Sequence, residues 1–274
     1  MKPRPRFRCL ATVLGLALPA LANRASAQQT DSTSRKNEVS ALRVGAAIAV
    51  TGAIVAPFDV AITRRLRSPD LQNSASWRAG AVVFDAYGAP GSQVVGPLLA
   101  IAGSVTRSPT LSEVGIHLSE SYATAAAVVY VVKGIAGRAR PYAVNSESAY
   151  DFALGRGFPH REPFSSFPSG HSTGSFAFAS SFTVEAGRHW PQHATLLGAL
   201  AYGGALLDGV SRVYRDSHWP SDVAAGALVG TMSGLLVTRR QHAHPDNRLD
   251  ALARRVLFAP SADGRLILGV SGAF

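Results

Sequence analysis

Three short segments of this 274-residue chain carry side chains that together could move a phosphoryl group: Lys133 with Arg140-Pro141, Pro168-Ser169-Gly170-His171, and Ser211-Arg212 followed by His218 and Asp222. Lys133 and Arg140 lie about two helical turns apart, so both can project to one side of a continuous helix. An arginine fork and a lysine point charge are suited to non-bridging phosphate oxygens. Pro168 to His171 precede a run of small and apolar residues, which places them at a helix start, where free N–H groups and the helix dipole favour an anion. There Gly170 permits close backbone approach, Ser169 adds a hydroxyl donor, and His171 is a candidate general acid towards a leaving-group oxygen. In the third segment His218 is a candidate nucleophile, because a neutral imidazole can attack phosphorus. Asp222, on the first turn of a helix that Pro220 and Ser221 signal, would fix its tautomer, and Arg212 would be a third clamp on the phosphoryl oxygens. Taken singly, each fragment also has a bland reading: a solvated charge pair at a helix end, a Pro-Ser cap with an incidental histidine, a structural His-x3-Asp.

The elements that must position these residues are six apolar stretches rich in Ala, Gly, Val and Leu, at roughly 41–63, 79–105, 118–136, 171–187, 194–211 and 222–238. Their lengths favour helices over strands, and the reading is an all-α bundle of about six core helices. Breaks fall at Pro57, at Gly88-Ala89-Pro90-Gly91 and at Trp190-Pro191, and 142–167 reads as a long loop with short helical turns. The tail from Val256 alternates around Asp263-Gly264 as a β-hairpin does. The expected organisation is a signal peptide over 1–27, a flexible polar leader over 28–40, a helical domain over 41–240 with its motif core at 118–238, and a polar tail with the hairpin over 241–274.

The signal reading rests on Arg4, Arg6 and Arg8 ahead of an apolar run from Leu10 to Leu21, with Ala25-Ser26-Ala27 before the expected cut. The only cysteine, Cys9, lies inside that segment, so the mature chain would have no disulfide, thiolate nucleophile or cysteine-ligated metal. The formal charge of +10 comes almost wholly from arginine; Lys133 is one of only three lysines, which points to a compact ammonium in a site shaped for it. No basic run is interleaved with aromatics, which argues against nucleic acid, and the excess charge suits anionic substrates or an anionic membrane surface. His189 and His193 flank Trp190-Pro191, and His242 and His244 sit with Asp246; without a fuller ligand set these read as solvated histidines. Arg215 and Asp216 read either as lining the pocket mouth or as a surface ion pair.

The three segments in order, K-x6-R-P, P-S-G-H and S-R-x5-H-x3-D, fill every specified position of a pattern that resembles the type 2 phosphatidic acid phosphatase superfamily. That superfamily also includes bacterial acid phosphatases and vanadium haloperoxidases, and the resemblance covers about residues 118–238. It implies that Lys133, Arg140, Ser169, Gly170 and Arg212 bind phosphate, that His218 attacks and is oriented by Asp222, and that His171 protonates the leaving group. No metal or other cofactor is implied. The expected activity is hydrolysis of phosphate mono- or diphosphate esters, lipids in preference, through a phosphohistidine. A broad-specificity periplasmic acid phosphatase is the near alternative, a vanadate-dependent haloperoxidase and a non-catalytic lipid-binding protein the remoter ones. The expected location is outside the cytoplasm, periplasmic or in the inner membrane with the site facing the periplasm. Asp59, Asp85, Glu120, Glu185 and Asp208 within the apolar stretches weigh against full spans, and the reading leans to a periplasmic bundle in contact with the membrane.

Overall fold

The computed structural model describes residues 41–144, 148–244, 256–260 and 266–270. The expected signal, the leader, most of the polar tail and the Asp263-Gly264 turn lie outside the described residues. The chain divides into two units at Thr51 and Gly52, and the site lies wholly in the second.

Apart from the loop over 137–169, which holds the short turns Pro141–Val144 and Arg161–Phe164, the described chain is largely helical up to its C-terminal hairpin. Helix α1 (Ala41–Val55) gives way to a 3-10 turn, Ala56–Phe58, with Pro57 at its start, and then to α2 (Asp59–Leu66). The second apolar stretch is two helices, α3 (Ala75–Ala86) and α4 (Ser92–Thr106), separated at Tyr87–Gly91, where Ala89 leaves helical geometry. Next come α5 (Pro109–Ala136), α6 (Gly170–His189), α7 (Ala194–Tyr214) and α8 (Pro220–Ala243). The all-α bundle is as expected. Helix α5 begins nine residues before the expected start at 118, because Ser108 caps it by accepting from Leu111 N and Pro109 occupies its first turn. Strands β1 (Val256–Pro260) and β2 (Leu266–Val270) pair antiparallel with Val256 opposite Val270, the hairpin the alternation predicts.

The helices pack through glycine. On α8, a Cβ at Gly226, Gly230 or Gly234 would come within 2.5, 2.3 and 2.0 Å of Ser169 O, Thr173 O and Ser180 Oγ on or just before α6, so the two backbones nearly touch. Gly115 of α5 meets Ala100 and Gly96 of α4 in the same way. Small residues at helix contacts are the packing mode of bundles in lipid, where close backbone approach takes the place of a hydrophobic driving force. An aromatic and alanine core of Phe176, Ala179, Ala201 and Ala205 joins α6 to α7.

Among the described residues, three helical segments are long and apolar enough to cross a membrane: Gly45–Leu66, Ala194–Tyr214 and Pro220–Ala243. Leu200 and Leu206 on α7 are 64% and 60% exposed, an apolar surface suited to lipid. The chain is therefore read as a membrane protein, which corrects the leaning towards a bundle that only touches the bilayer. The acidic residues that prompted that leaning are largely internal: Asp59, Glu185 and Asp208 are fully buried against protein partners.

Candidate active site

All eight expected site residues converge at one end of the bundle, where α5 and α7 finish and α6 and α8 begin. Helix α5 stops at Gly137, which adopts the left-handed conformation (φ 50°) and returns its N–H to Lys133 O at 3.1 Å. That stop leaves Lys133 in the last turn, with its ammonium donating to Ser165 O. Ser169 caps α6 by accepting from Ser172 N at 3.3 Å. As an acceptor there, its hydroxyl keeps its own proton to donate. A Cβ on Gly170 would stand 3.7 Å from Lys133 Cε, so the helix start and the ammonium are neighbours.

His218 is 2% exposed in the turn between α7 and α8. Its Nδ1 lies 3.5 Å from Asp222 Oδ2, and its Nε2 lies 3.4 Å from an Arg140 terminal nitrogen. Burial pushes the His218 imidazole well below the ordinary histidine range; Lys133 and Arg140 push the same way and the Asp222 carboxylate opposes them. The ring is therefore neutral at neutral pH, as a nucleophile must be. Asp222 Oδ2 also accepts from Ser166 Oγ at 2.5 Å and Trp219 N at 2.9 Å, and its Oδ1 from Arg138 at 2.5 Å. Its backbone carbonyl accepts from Ser169 N at 2.9 Å, which locks the starts of α6 and α8 together.

Arg212 pairs with Asp85, near the end of α3, and His171 Nε2 stands 3.7 Å from the same Asp85 oxygen. The His171 ring is lowered to about 4, first by burial and then by the charge of Arg212, with Asp85 opposing. Arg140 donates to Glu162 Oε1 at 2.6 Å and to Ser217 O at 3.1 Å. The Nε atoms of Arg140 and Arg212 are buried with no hydrogen-bond partner among the described residues. Two unsatisfied guanidinium donors in one pocket, beside an ammonium and a helix N-terminus, form a site for an anion with several oxygens. Asp85 and Glu162 hold the two arginines as carboxylates where phosphate oxygens could bind instead. Of the two candidates for the pocket mouth, Arg215 faces Asp85 at 3.8 Å, and Asp216 faces Arg67 at 3.7 Å.

Sequence reasoning missed the residue that fastens this arrangement. Arg138, 1% exposed, donates to Asp222 Oδ1, to Ser221 Oγ at 2.7 Å, to Asp59 Oδ2 at 2.7 Å and to Ala149 O at 2.6 Å. Asp59 in turn accepts from Ser221 N at 2.8 Å. The signal lay inside K-x6-R-P, where Arg138 is one of the unspecified positions, two residues from Arg140.

Residues 115–246 match the family model of the PAP2 superfamily. Over 139 residues the chain is 32% identical to a lipid A 1-phosphatase of Rhizobium johnstonii, covering 51% of this chain and 52% of that protein. Over 163 residues it is 28% identical to a putative undecaprenyl-diphosphatase, YbjG, of Escherichia coli K12, covering 60% of this chain and 73% of the other. The chain thus spans about half the length of the Rhizobium relative. Its fold is similar to a transmembrane PAP2 type phosphatidylglycerolphosphate phosphatase of Bacillus subtilis, with a TM-score of 0.56 and 22% identity over 75% of this chain and 96% of that one.

Proposed function

The chain belongs to the PAP2 superfamily, whose match runs over residues 115–246, and from that premise we propose that it hydrolyses lipid phosphate or diphosphate esters through a phosphohistidine, with no catalytic metal. The observation that carries the reading is a buried, neutral His218 flanked by Asp222 on one ring nitrogen and by Arg140 on the other.

In this reading the phosphoryl group enters between Lys133, Arg140, Arg212 and the start of α6, displacing Asp85 and Glu162 from the arginines. His218 Nε2 attacks phosphorus while the bond to the leaving oxygen breaks, and His171 gives that oxygen its proton. The proton on Nδ1 stays with the ring, and Asp222 stabilises the cation that develops there. Water then attacks the phosphohistidine, with His171 taking the proton, and His218 leaves as neutral imidazole. Charge spread over the equatorial oxygens is met by fixed cations and N–H groups, which act without reorganising. His171 is neutral in the free site, and a bound dianion beside it would raise its affinity for the proton it must deliver.

A lipid substrate is supported by the apolar α7 surface and by an apolar cleft between α3 and α7. The cleft is lined by Trp77, Gly80, Phe84, Leu207, Val210 and Tyr214. Phe84 and Ser211, also in its lining, directly precede Asp85 and Arg212, so the cleft adjoins the phosphate site. The relatives named for lipid A and for undecaprenyl diphosphate act on substrates of that kind. The site is taken to face outside the cytoplasm.

The test is acid-quench trapping with a radiolabelled lipid phosphate, alongside phosphate release from the same lipid and from a soluble aryl phosphate in excess EDTA. Labelled protein that disappears in His218→Ala, with release persisting in EDTA, is the expected result. Release without any label in His218, from a folded protein, would refute the covalent route. A preference for the aryl ester would refute the lipid assignment.

A further inference from the structure

At the far end of the same helices lies a second cluster of titratable side chains. Glu113 and His117 stand one turn apart on α5, Glu185 and His189 one turn apart on α6, and His242 near the end of α8. His117 precedes Lys133 by sixteen residues, about 24 Å along a straight helix, so this cluster is separate from the phosphate site.

Its centre is Glu185, fully buried, whose Oε1 lies 2.7 Å from His117 Nδ1 and 3.0 Å from His242 Nε2. A carboxylate that accepts from both rings fixes the proton of His117 on Nδ1 and that of His242 on Nε2. In its neutral form the His242 ring then carries its lone pair on Nδ1. His242 Nδ1 faces Glu113 Oε1 at 3.5 Å, so with the ring neutral two electron-rich atoms confront one another. Nearby, Glu185 Oε2 and His189 Nε2 are buried without a hydrogen-bond partner among the described residues, 3.3 Å apart. Glu113 Oε2 is 3.9 Å from the same His189 nitrogen. These gaps exceed those of charge-assisted hydrogen bonds, roughly 2.7–2.9 Å. The gap between Glu113 and His242 is close to the separation of about 3.4 Å between two ligands on a tetrahedral ion bound at about 2.1 Å. One ligand atom each from Glu113, His117 and His242 lie within 4.8 Å of one another.

We propose that Glu113, His117 and His242 bind a divalent transition-metal ion of the Zn²⁺ class. Glu185 is the outer carboxylate that orients both histidines, and His189 stands beside it, with its Nε2 3.3 Å from Glu185 Oε2. Two imidazoles and a carboxylate suit zinc better than calcium or magnesium, and a carboxylate behind each ligating histidine is the usual support of such a site. The ion fastens the start of α5 to the ends of α6 and α8. His242, read from the sequence as solvated, gains here the fuller ligand set that adjacent positions alone did not supply.

The test uses the full chain, stripped with chelator and dialysed, then titrated with Zn²⁺ by calorimetry and with Co²⁺ by visible absorption. One ion per chain is expected, with cobalt bands typical of a tetrahedral nitrogen and oxygen site. Both should be lost in His242→Gln and in Glu113→Gln, each checked for folding by circular dichroism. Zinc should raise the thermal midpoint of the wild type by about 5–10 °C and leave that of His242→Gln unmoved. Folded wild type that binds neither ion overturns the proposal, as does binding that both variants retain. Phosphate release by the stripped protein well below its midpoint is a separate readout, so failure of the metal site and failure of the phosphatase reading are distinguishable.

Discussion

Arg138 is enclosed between two buried carboxylates, donating to Asp222 Oδ1 at 2.5 Å and to Asp59 Oδ2 at 2.7 Å. A guanidinium can serve both because its planar fork presents separate N–H groups in fixed directions, which an ammonium on a flexible stem does not. Removing it strands two carboxylates in a dry interior, the arrangement that makes a broken buried ion pair costly. Arg138→Met is expected to lose about 3–5 kcal/mol of stability in denaturant titrations, and Arg138→Lys to recover little of it. Activity should fall with it, since Asp222 would lose the partner that holds it behind His218. The two site histidines set the pH behaviour. With His171 at about 4 in the free site, ever fewer molecules carry its proton as pH rises, so kcat/KM should decline from about pH 5 towards alkaline pH. In His171→Gln that limb should flatten to the titration of the substrate itself, near pH 6 for a phosphomonoester. A profile that rises across this range in the wild type would contradict the acid role. His218 adds a linked effect on stability. Its folded value lies below the unfolded one, so below about pH 6.5 the unfolded chain takes up a proton that the folded chain refuses, and stability is lost as pH falls.

At the scale of elements, the motif residues are usable only because four helix ends meet. Glycines on α8 let its backbone lie against α6, and the Ser169 N to Asp222 O bond at 2.9 Å joins the two starts. This much was legible: Gly137 and Pro141 stop one helix, Pro168-Ser169 starts the next, and Pro220-Ser221 announces the last, which begins at Pro220, two residues ahead of the expected 222. The start of α5 was equally local, in Ser108-Pro109, but the polar residues Ser112, Glu113 and His117 masked the helical period there. The partners of Arg138 were not legible. Asp59 and Asp222 come from distant parts of the chain, Ala149 from the irregular loop that follows, and no short-range pattern announces that one guanidinium will collect them. The α3–α7 cleft is likewise a product of packing. Gly80 lines it, and a Cβ there meets nothing within 4 Å, so the position has room for a side chain beside the cleft. Gly80→Phe is expected to raise KM for a long-chain lipid phosphate by about tenfold, since a blocked apolar contact of this size is worth about 1–3 kcal/mol. The aryl phosphate should be hydrolysed as by the wild type. Equal losses on both substrates would mean that the cleft does not take the lipid chain.

The whole molecule poses the question that composition alone answered in the wrong direction. Counting Asp and Glu along the stretches treats each as a charge offered to lipid, whereas Asp59 is bound by Arg138 and Ser221, Glu185 by two histidines, and Asp208 by Ser175 at 2.8 Å. Only the fold reveals which face a carboxylate occupies, and here these are internal while Leu200 and Leu206 point outwards. Since α5 and α7 end at the phosphate site and α6 and α8 begin there, a bundle that crosses the bilayer puts the whole site on one side. The turn at Trp190-Pro191 and the His–Glu cluster then lie on the other. Single cysteines in a Cys9→Ser background can report this, because Cys9 is the only native thiol. Ser148, in the loop beside the site, and Gln192, in the opposite turn, are both exposed positions. In intact cells a membrane-impermeant maleimide is expected to label Ser148→Cys and to reach Gln192→Cys only after permeabilisation. Inverted labelling would place the phosphate site inside the cell and remove the case for an exported substrate. Labelling of both positions would return the bundle to the outer compartment, with its apolar α7 face resting on the membrane instead of within it.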